Sequence, residues 1–256
     1  MRKPTFSPTK ITTYLTCRIK YHWAYMTPYG RWMRRPNPAF AFGANLHRAL
    51  EYFHNAGGAA KLSPDEFRHA LERLWSHAGF ETHEQSEAYK QTGLQLAQQY
   101  YQTQAQQPPE AVVLFTERTL RRDMGRYVLV GRIDRVDEHP DGTLEIIDYK
   151  SGRTQVNEAQ VRNDLALHCY ALLLQERYPN RPLRIALYAL RANKKVAVPV
   201  AAETLAEFRE LLDSLVAQIL DEDWEVLNPK WLPECPDCEF LELCVRKLGL
   251  ISPNPL

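Results

Sequence analysis

A split set of cysteines sets the tightest limit on how this 256-residue chain can fold. Cys17 stands near the start, while Cys235, Cys238 and Cys244 crowd a proline-rich tail. In Cys235-Pro-Asp-Cys238-Glu-Phe-Leu-Glu-Leu-Cys244 the short first gap turns the chain back on itself, so three thiolates can converge on one centre. The fourth ligand must then come from far away, and a fold that uses all four brings both ends of the chain together. Soft thiolates select zinc or an iron–sulfur cluster over hard cations, and an all-cysteine set suits a four-coordinate zinc ion or a cubane cluster. The alternative is a disulfide with two free thiols, which belongs to oxidising compartments. The opening Met-Arg-Lys-Pro-Thr-Phe-Ser-Pro lacks the apolar stretch of a secretory signal, and no run of residues is apolar enough to be a membrane span. The expectation is a cytoplasmic protein, away from membranes, whose clustered cysteines hold metal. Cys169, the unpaired fifth, reads as a small hydrophobe in a helix.

Net charge is +1, so nucleic-acid binding would need local patches rather than bulk charge. Arg31, Arg34 and Arg35 form one such patch, Arg121, Arg122 and Arg126 a second, and Lys194 and Lys195 a third. Ser7-Pro8 opens a first helix along which Ile11, Tyr14, Leu15 and Ile19 recur, with Cys17 riding on it. Phe42, Leu46, Leu50 and Phe53 mark a second helix ending near Gly57-Gly58. Ser63-Pro64-Asp65-Glu66 is a capping box for a third, running to about residue 79, and a glutamine-rich fourth fills 84–107. The pattern then changes to strands over 112–120, 127–136 and 144–149, a meander whose last two members flank Pro140-Asp141-Gly142. A helix over 165–178, strands over 183–190 and 196–200, and an amphipathic helix over 205–220 follow. This order predicts an α/β fold, a mixed central sheet flanked by helices, as a single domain over 1–256. Its parts would be a mainly helical region over 1–109, a catalytic sheet core over 110–200, and a helix with a cysteine tail over 201–256.

Charge enters where the strands should be apolar. Around Gly131, alternation puts Asp134 on one face with Val128, Val130 and Val136. In the next strand Asp148 and Lys150 share a face with Leu144 and Ile146. Such charges are costly to bury unless they pair or hold a metal. Either they form a buried ion pair, or two carboxylates from adjacent strands grip a hard divalent cation while Lys150 reaches a water or a phosphate oxygen. His47, beside the apolar stripe of its helix, is a further ligand candidate.

Gly131-Arg-Ile-Asp134-Arg-Val-Asp137, followed by Ile147-Asp148-Tyr149-Lys150-Ser151-Gly152, resembles the PD-(D/E)xK nuclease core in its RecB-like form, a restriction-endonuclease-like fold. The resemblance maps the metal-binding acids onto Asp134 and Asp148, the catalytic lysine onto Lys150, a ligating backbone carbonyl onto Tyr149, and the histidine of a Gly-x-x-x-His helix onto His47. It also implies a [4Fe–4S] staple on Cys17, Cys235, Cys238 and Cys244, similar to that of AddB-type and CRISPR-adaptation nucleases, with zinc as the other occupant. The tyrosine of the family's Gln-x-x-x-Tyr helix maps onto Tyr170, but Ala166 stands at the glutamine position, leaving His168 or Asn163 as substitutes. What the resemblance implies is a Mg²⁺- or Mn²⁺-dependent deoxyribonuclease, an exonuclease on single-stranded DNA ends, working with a helicase or another DNA-processing protein. Arg132 and Arg135 flank the first carboxylate and would meet phosphates if exposed, and Tyr21, Trp23, Tyr25 and Trp32 near Arg31 would stack on unpaired bases. The competing reading is a DNA-end-binding or partner-binding module that keeps the fold without the reaction.

Overall fold

The computed structural model describes residues 3–33 and 36–252. Along the chain run β1 (Thr5–Phe6), α1 (Pro8–Thr16), α2 (Arg18–Tyr21), a π-helical turn (His22–Met26), α3 (Tyr29–Trp32), α4 (Pro38–Asn55), α5 (Pro64–Leu74) and α6 (His83–Gln106). Then come β2 (Val112–Asp123), β3 (Val128–Glu138), β4 (Leu144–Lys150), α7 (Glu158–Arg162), α8 (Leu165–Arg177), β5 (Leu183–Ala189), β6 (Lys194–Val200), α9 (Ala202–Leu220) and α10 (Leu241–Leu248). One compact unit comprises Met1–Thr5 with Pro36–Glu210, and a second comprises Phe6–Arg35 with Leu211–Leu256. The helices α4 to α6 thus group with the sheet, and Phe6–Arg35 with Leu211–Leu256 form a unit of their own.

In the first unit β2, β3 and β4 form the expected antiparallel meander. β4 then pairs parallel with β5, from Leu144 opposite Leu183 to Lys150 opposite Ala189, and β6 runs antiparallel to β5. A parallel pair needs a crossover, which α7 and α8 supply. The result is the mixed α/β architecture that the order of elements predicts. Asn37 caps α4 by accepting the Phe40 N–H at 2.9 Å. Phe42, Leu46, Leu50 and Phe53 on α4 are all buried, packed with Phe67, Leu71, Tyr100 and Ile147, and each such side chain contributes about 1.5–3 kcal/mol. The capping box of Ser63 and Glu66 closes in both directions, but α5 stops at Leu74, short of residue 79. Tertiary bonds end it: the Trp75 indole donates to Ser86 Oγ at 3.0 Å, and Ser76 N–H donates to Asn45 Oδ1 at 2.8 Å.

A buried polar network ties α4 and α6 to the sheet. Arg135 Nε donates to Asp137 Oδ1 at 2.6 Å, and Arg135 Nη2 to the other carboxylate oxygen. Arg135 Nη1 donates to His54 Nε2 at 2.8 Å, to the Tyr100 hydroxyl at 3.1 Å and to the Tyr149 hydroxyl at 3.3 Å. His54 accepts from a guanidinium and is therefore neutral; burial, with the Arg135 charge, lowers its pKa to about 2. The unfolded chain takes up this proton first, near pH 6.5, so stability should fall as pH drops below that value, by up to about 1.4 kcal/mol per unit. His54→Gln keeps an acceptor and should flatten the slope of urea midpoints between pH 7 and 5; parallel slopes would remove His54 as the cause.

In the second unit Ile19, Trp23, Phe240, Cys244 and Leu250 make a small core. Tyr21 stacks on Trp224 at 5.5 Å, and the Tyr14 hydroxyl donates to Glu222 at 2.7 Å. Cys17 does not ride on the first helix: α1 ends at Thr16, and Cys17 is extended, at φ −158° and ψ 111°. Its sulfur instead caps α2, accepting the Lys20 N–H at 3.3 Å. Among the described residues no helix is long and apolar enough to cross a membrane.

Candidate active site

Three carboxylates from three adjacent strands lie in a row. The β3–β4 ladder runs out to Arg135 opposite Ile147, and Asp134 and Asp148 occupy the next rung. There a side chain replaces the ladder: Asp134 Oδ2 accepts the Tyr149 N–H at 2.8 Å. On the other flank, Thr116 pairs with Arg135 and Arg118 with Ile133, which sets Glu117 opposite Asp134. Glu117 has φ +44°, a strained value for a residue with a Cβ. Helix α4 brings His47, whose Nδ1 lies 3.0 Å from Glu117 Oε1 and 3.4 Å from Asp134 Oδ1, and whose Nε2 is 3.2 Å from the Tyr149 carbonyl oxygen. The close approach at the start of this turn uses Gly43, where a Cβ would meet Ser151 Oγ at 3.1 Å. Lys150 Nζ stands 2.6 Å from Asp148 Oδ2. His47, Glu117, Arg132 and Asp134 open onto one cleft.

The electrostatics show a surplus of negative charge. Burial, and then the Asp134 charge, raise Asp148 to about 7 against the pull of Lys150. For His47, burial favours the neutral ring, but hydrogen bonds and charges from Asp134 and Glu117 win and raise it to about 10. Burial works against the Lys150 ammonium as well, yet the Asp148 carboxylate leaves its pKa raised. Tyr170 is raised by burial and by Asp148 and Asp134. The His47 imidazolium thus sits where a cation is wanted. Ligand atoms of His47, Glu117 and Asp134 all lie within 4.8 Å of one another. With the Tyr149 carbonyl beside them, this oxygen-rich set fits a hard divalent cation such as Mg²⁺ or Mn²⁺.

The residues expected at the site from sequence, Asp134, Asp148, Tyr149, Lys150 and His47, are brought together here. Glu117 was missed; the signal was an acid inside the run Val112-Val-Leu-Phe-Thr-Glu117, one hairpin away from Asp134. Asp164, also missed, caps α8 by accepting the Leu167 N–H at 3.1 Å, and its charge acts on Asp148 and Lys150. Arg135 is a correction: it is 4% exposed and spent on Asp137, so it meets no phosphate. Arg132 is exposed at the cleft and holds Glu117 Oε2 at 2.7 Å. The Tyr170 ring lies against Gly131, where a Cβ would come within 2.8 Å of it. Gly131→Ala should therefore cost about 1–3 kcal/mol, read as a lowered urea midpoint. An unchanged midpoint would mean that the ring is not packed there. His168 does not replace the glutamine, since its Nδ1 is 2.9 Å from the Asp164 carbonyl and its ring packs at a tilt against Phe208. Asn163 is exposed at the end of α7. Cys169 is fully buried, as read from sequence.

Among the basic patches, Arg31 is exposed on α3, and Arg34 and Arg35 lie outside the described residues. Arg122 is engaged with Glu176 at 3.1 Å and Lys195 with Glu145 at 2.6 Å. Tyr21 and Trp23 are buried core residues rather than stacking platforms, whereas Trp32 is 73% exposed.

In the second unit Cys17, Cys235, Cys238 and Cys244 line a single small cavity walled by Ile19 and Phe240. Backbone N–H groups point at two of the sulfurs: Lys20 at Cys17, and Leu232 at Cys235 at 3.3 Å. Burial raises the thiol pKa of Cys238 and Cys244, so a bound metal would have to draw their protons off. The four-thiol donor set fits a soft metal centre.

A row of acids with a lysine lies across β2, β3 and β4, approached by a histidine from α4. The chain belongs to the PD-(D/E)XK nuclease superfamily, whose family model matches residues 5–245. It is 27% identical over 164 residues to one component of the ATP-dependent helicase/deoxyribonuclease of Streptococcus uberis. That match takes in 63% of this chain but only 15% of the relative. A solved structure from Eubacterium rectale, provisionally described as an exonuclease, superposes over 98% of this chain and 90% of its own, with a TM-score of 0.51 at 11% identity. That likeness concerns the fold.

Proposed function

We propose that the protein hydrolyses DNA phosphodiester bonds with Mg²⁺ or Mn²⁺, as an exonuclease on single-stranded ends, and that its cysteines carry a structural [4Fe–4S] cluster. The observation that carries the reading is the row Glu117–Asp134–Asp148 with His47 at one end and Lys150 at the other. Glu117, Asp134, Asp148, His47 and the Tyr149 carbonyl would hold the metal, which when bound polarises the phosphate and acidifies water. Lys150, kept protonated by Asp148, is placed to orient the attacking water or offset negative charge developing on the phosphate. Asp134 fixes the position of Tyr149 through the backbone N–H. Arg132 at the cleft can bind a phosphate by exchanging the Glu117 carboxylate for a phosphate oxygen.

Deoxyribonucleic acid as substrate is favoured by the name of the streptococcal relative, which also makes a helicase a fitting partner. For the cluster, four thiols from both arms of the second unit line one small cavity, a donor set that an iron–sulfur centre or a zinc ion would take. Anaerobically purified protein should show the visible charge-transfer absorption of an iron–sulfur centre; colourless, zinc-rich protein would replace the cluster by zinc. Ala166, with His168 turned to a backbone carbonyl, favours one second reading, a DNA-end-binding module. End-labelled single- and double-stranded DNA, incubated with cluster-loaded protein and Mg²⁺ or Mn²⁺, separates the two. Stepwise shortening of the single strand is the expected result and gives the polarity. Retarded but intact DNA would establish the binding module.

A further inference from the structure

We propose a second metal site, independent of the carboxylate row, in which His77, His83 and Glu87 bind zinc or another late first-row divalent ion. His83 and Glu87 are four residues apart at the start of α6, so their side chains share a face. His77 joins them from the irregular segment between α5 and α6. One ligand atom from each of the three lies within 4.8 Å of the others. The two imidazole ring centres lie 4.6 Å apart with the rings tilted by 42°, and each histidine has a ring nitrogen 3.9 Å from Glu87 Oε1. Two imidazoles and one carboxylate are donors that zinc prefers and magnesium does not.

Burial does not force this meeting, because the side chains of His77 and His83 are 47% and 69% exposed. The ring is nevertheless anchored. His77 Nδ1 is 2.9 Å from Ser86 Oγ, a fully buried hydroxyl that also accepts the Trp75 indole N–H. Nδ1 is also the nitrogen 3.9 Å from Glu87, so this bond sets the ring's orientation and Ser86 must release Nδ1 for that atom to ligate. Lys90 now holds Glu87 at 2.6 Å, a cation where the metal would supply one, and it must swing away on binding. The consequence reaches the scaffold of the cleft. Ser76, next to His77, is clasped by Asn45 at 2.8 and 3.0 Å, and Asn45 lies two residues before His47 on α4. A metal here would clamp the 75–82 segment to α6 beside the helix that carries the catalytic histidine.

The test is zinc content and thermal unfolding of tag-free full-length protein after dialysis against Zn²⁺, compared with His77→Ala, His83→Ala and Lys90→Ala. All the proteins share the same cysteines and carboxylate row, so differences report this site alone. The wild type should retain one zinc more than either histidine variant, its melting temperature should rise with Zn²⁺ where theirs does not, and Lys90→Ala should bind zinc more tightly. Equal zinc content in the wild type and both histidine variants, with folding confirmed by circular dichroism, would overturn the proposal.

Discussion

Lys150→Ala should slow single-turnover cleavage of DNA by about a hundredfold to a thousandfold, the usual cost of removing one preorganised group that meets charge developing in a transition state. The lysine is held in place by Asp148 at 2.6 Å, so the charge is available without reorganisation. Metal binding should survive, because the ligand atoms gathered within 4.8 Å come from His47, Glu117 and Asp134. The loss should therefore appear in the cleavage rate and leave the Mn²⁺ dependence in place. A variant that cleaves at the wild-type rate would remove Lys150 from the reaction.

The largest effect on stability should come from Asp137→Ala. Asp137 and Arg135 are 1% and 4% exposed, and Asp137 takes two bonds from the guanidinium. Removing the carboxylate leaves an uncompensated charge in the core, at a cost of about 3–5 kcal/mol. The Tyr149 hydroxyl, which shares Arg135 with Tyr100, would lose its fixed partner at the same time. Replacing both members, Arg135→Met with Asp137→Leu, should be far milder, since no charge is then stranded. Urea unfolding of the two proteins measures the difference; equal losses would mean that the ion pair is not what the core depends on.

This network and the carboxylate row share Tyr149, and their legibility in the sequence differed. Asp134 and Asp148 were readable because a carboxylate in an apolar strand breaks the alternation, and strand neighbours can be guessed from one turn. Glu117 sits in the same row but arrives through a register fixed by a β-bulge between Val113 and Phe115 and a positive φ, neither of which leaves a local pattern. Arg135 was misread for a related reason. Flanking a carboxylate of the row says nothing about which neighbour a helix will cover, and His54, Tyr100 and Tyr149 close over Arg135 from distant segments. The helices of the first unit were legible from capping residues and the spacing of Phe42, Leu46, Leu50 and Phe53. Their ends were less so, because Trp75 leaves α5 for a tertiary hydrogen bond. The split cysteines are consistent with Phe6–Arg35 and Leu211–Leu256 grouping in one unit, but no local pattern marks the break at Cys17 that turns its sulfur into a cap.

The central claim is that the acids converging on His47 form a metal centre on which DNA cleavage depends. Mn²⁺ titration followed by electron paramagnetic resonance, with cleavage assayed in the same samples, tests it most directly when the wild type is set beside Asp134→Asn and Glu117→Gln. The account predicts one active-site Mn²⁺ in the wild type, weakened or lost in both variants, with cleavage falling in step. Unchanged Mn²⁺ binding in both variants, or cleavage that persists after complete chelation, would contradict it.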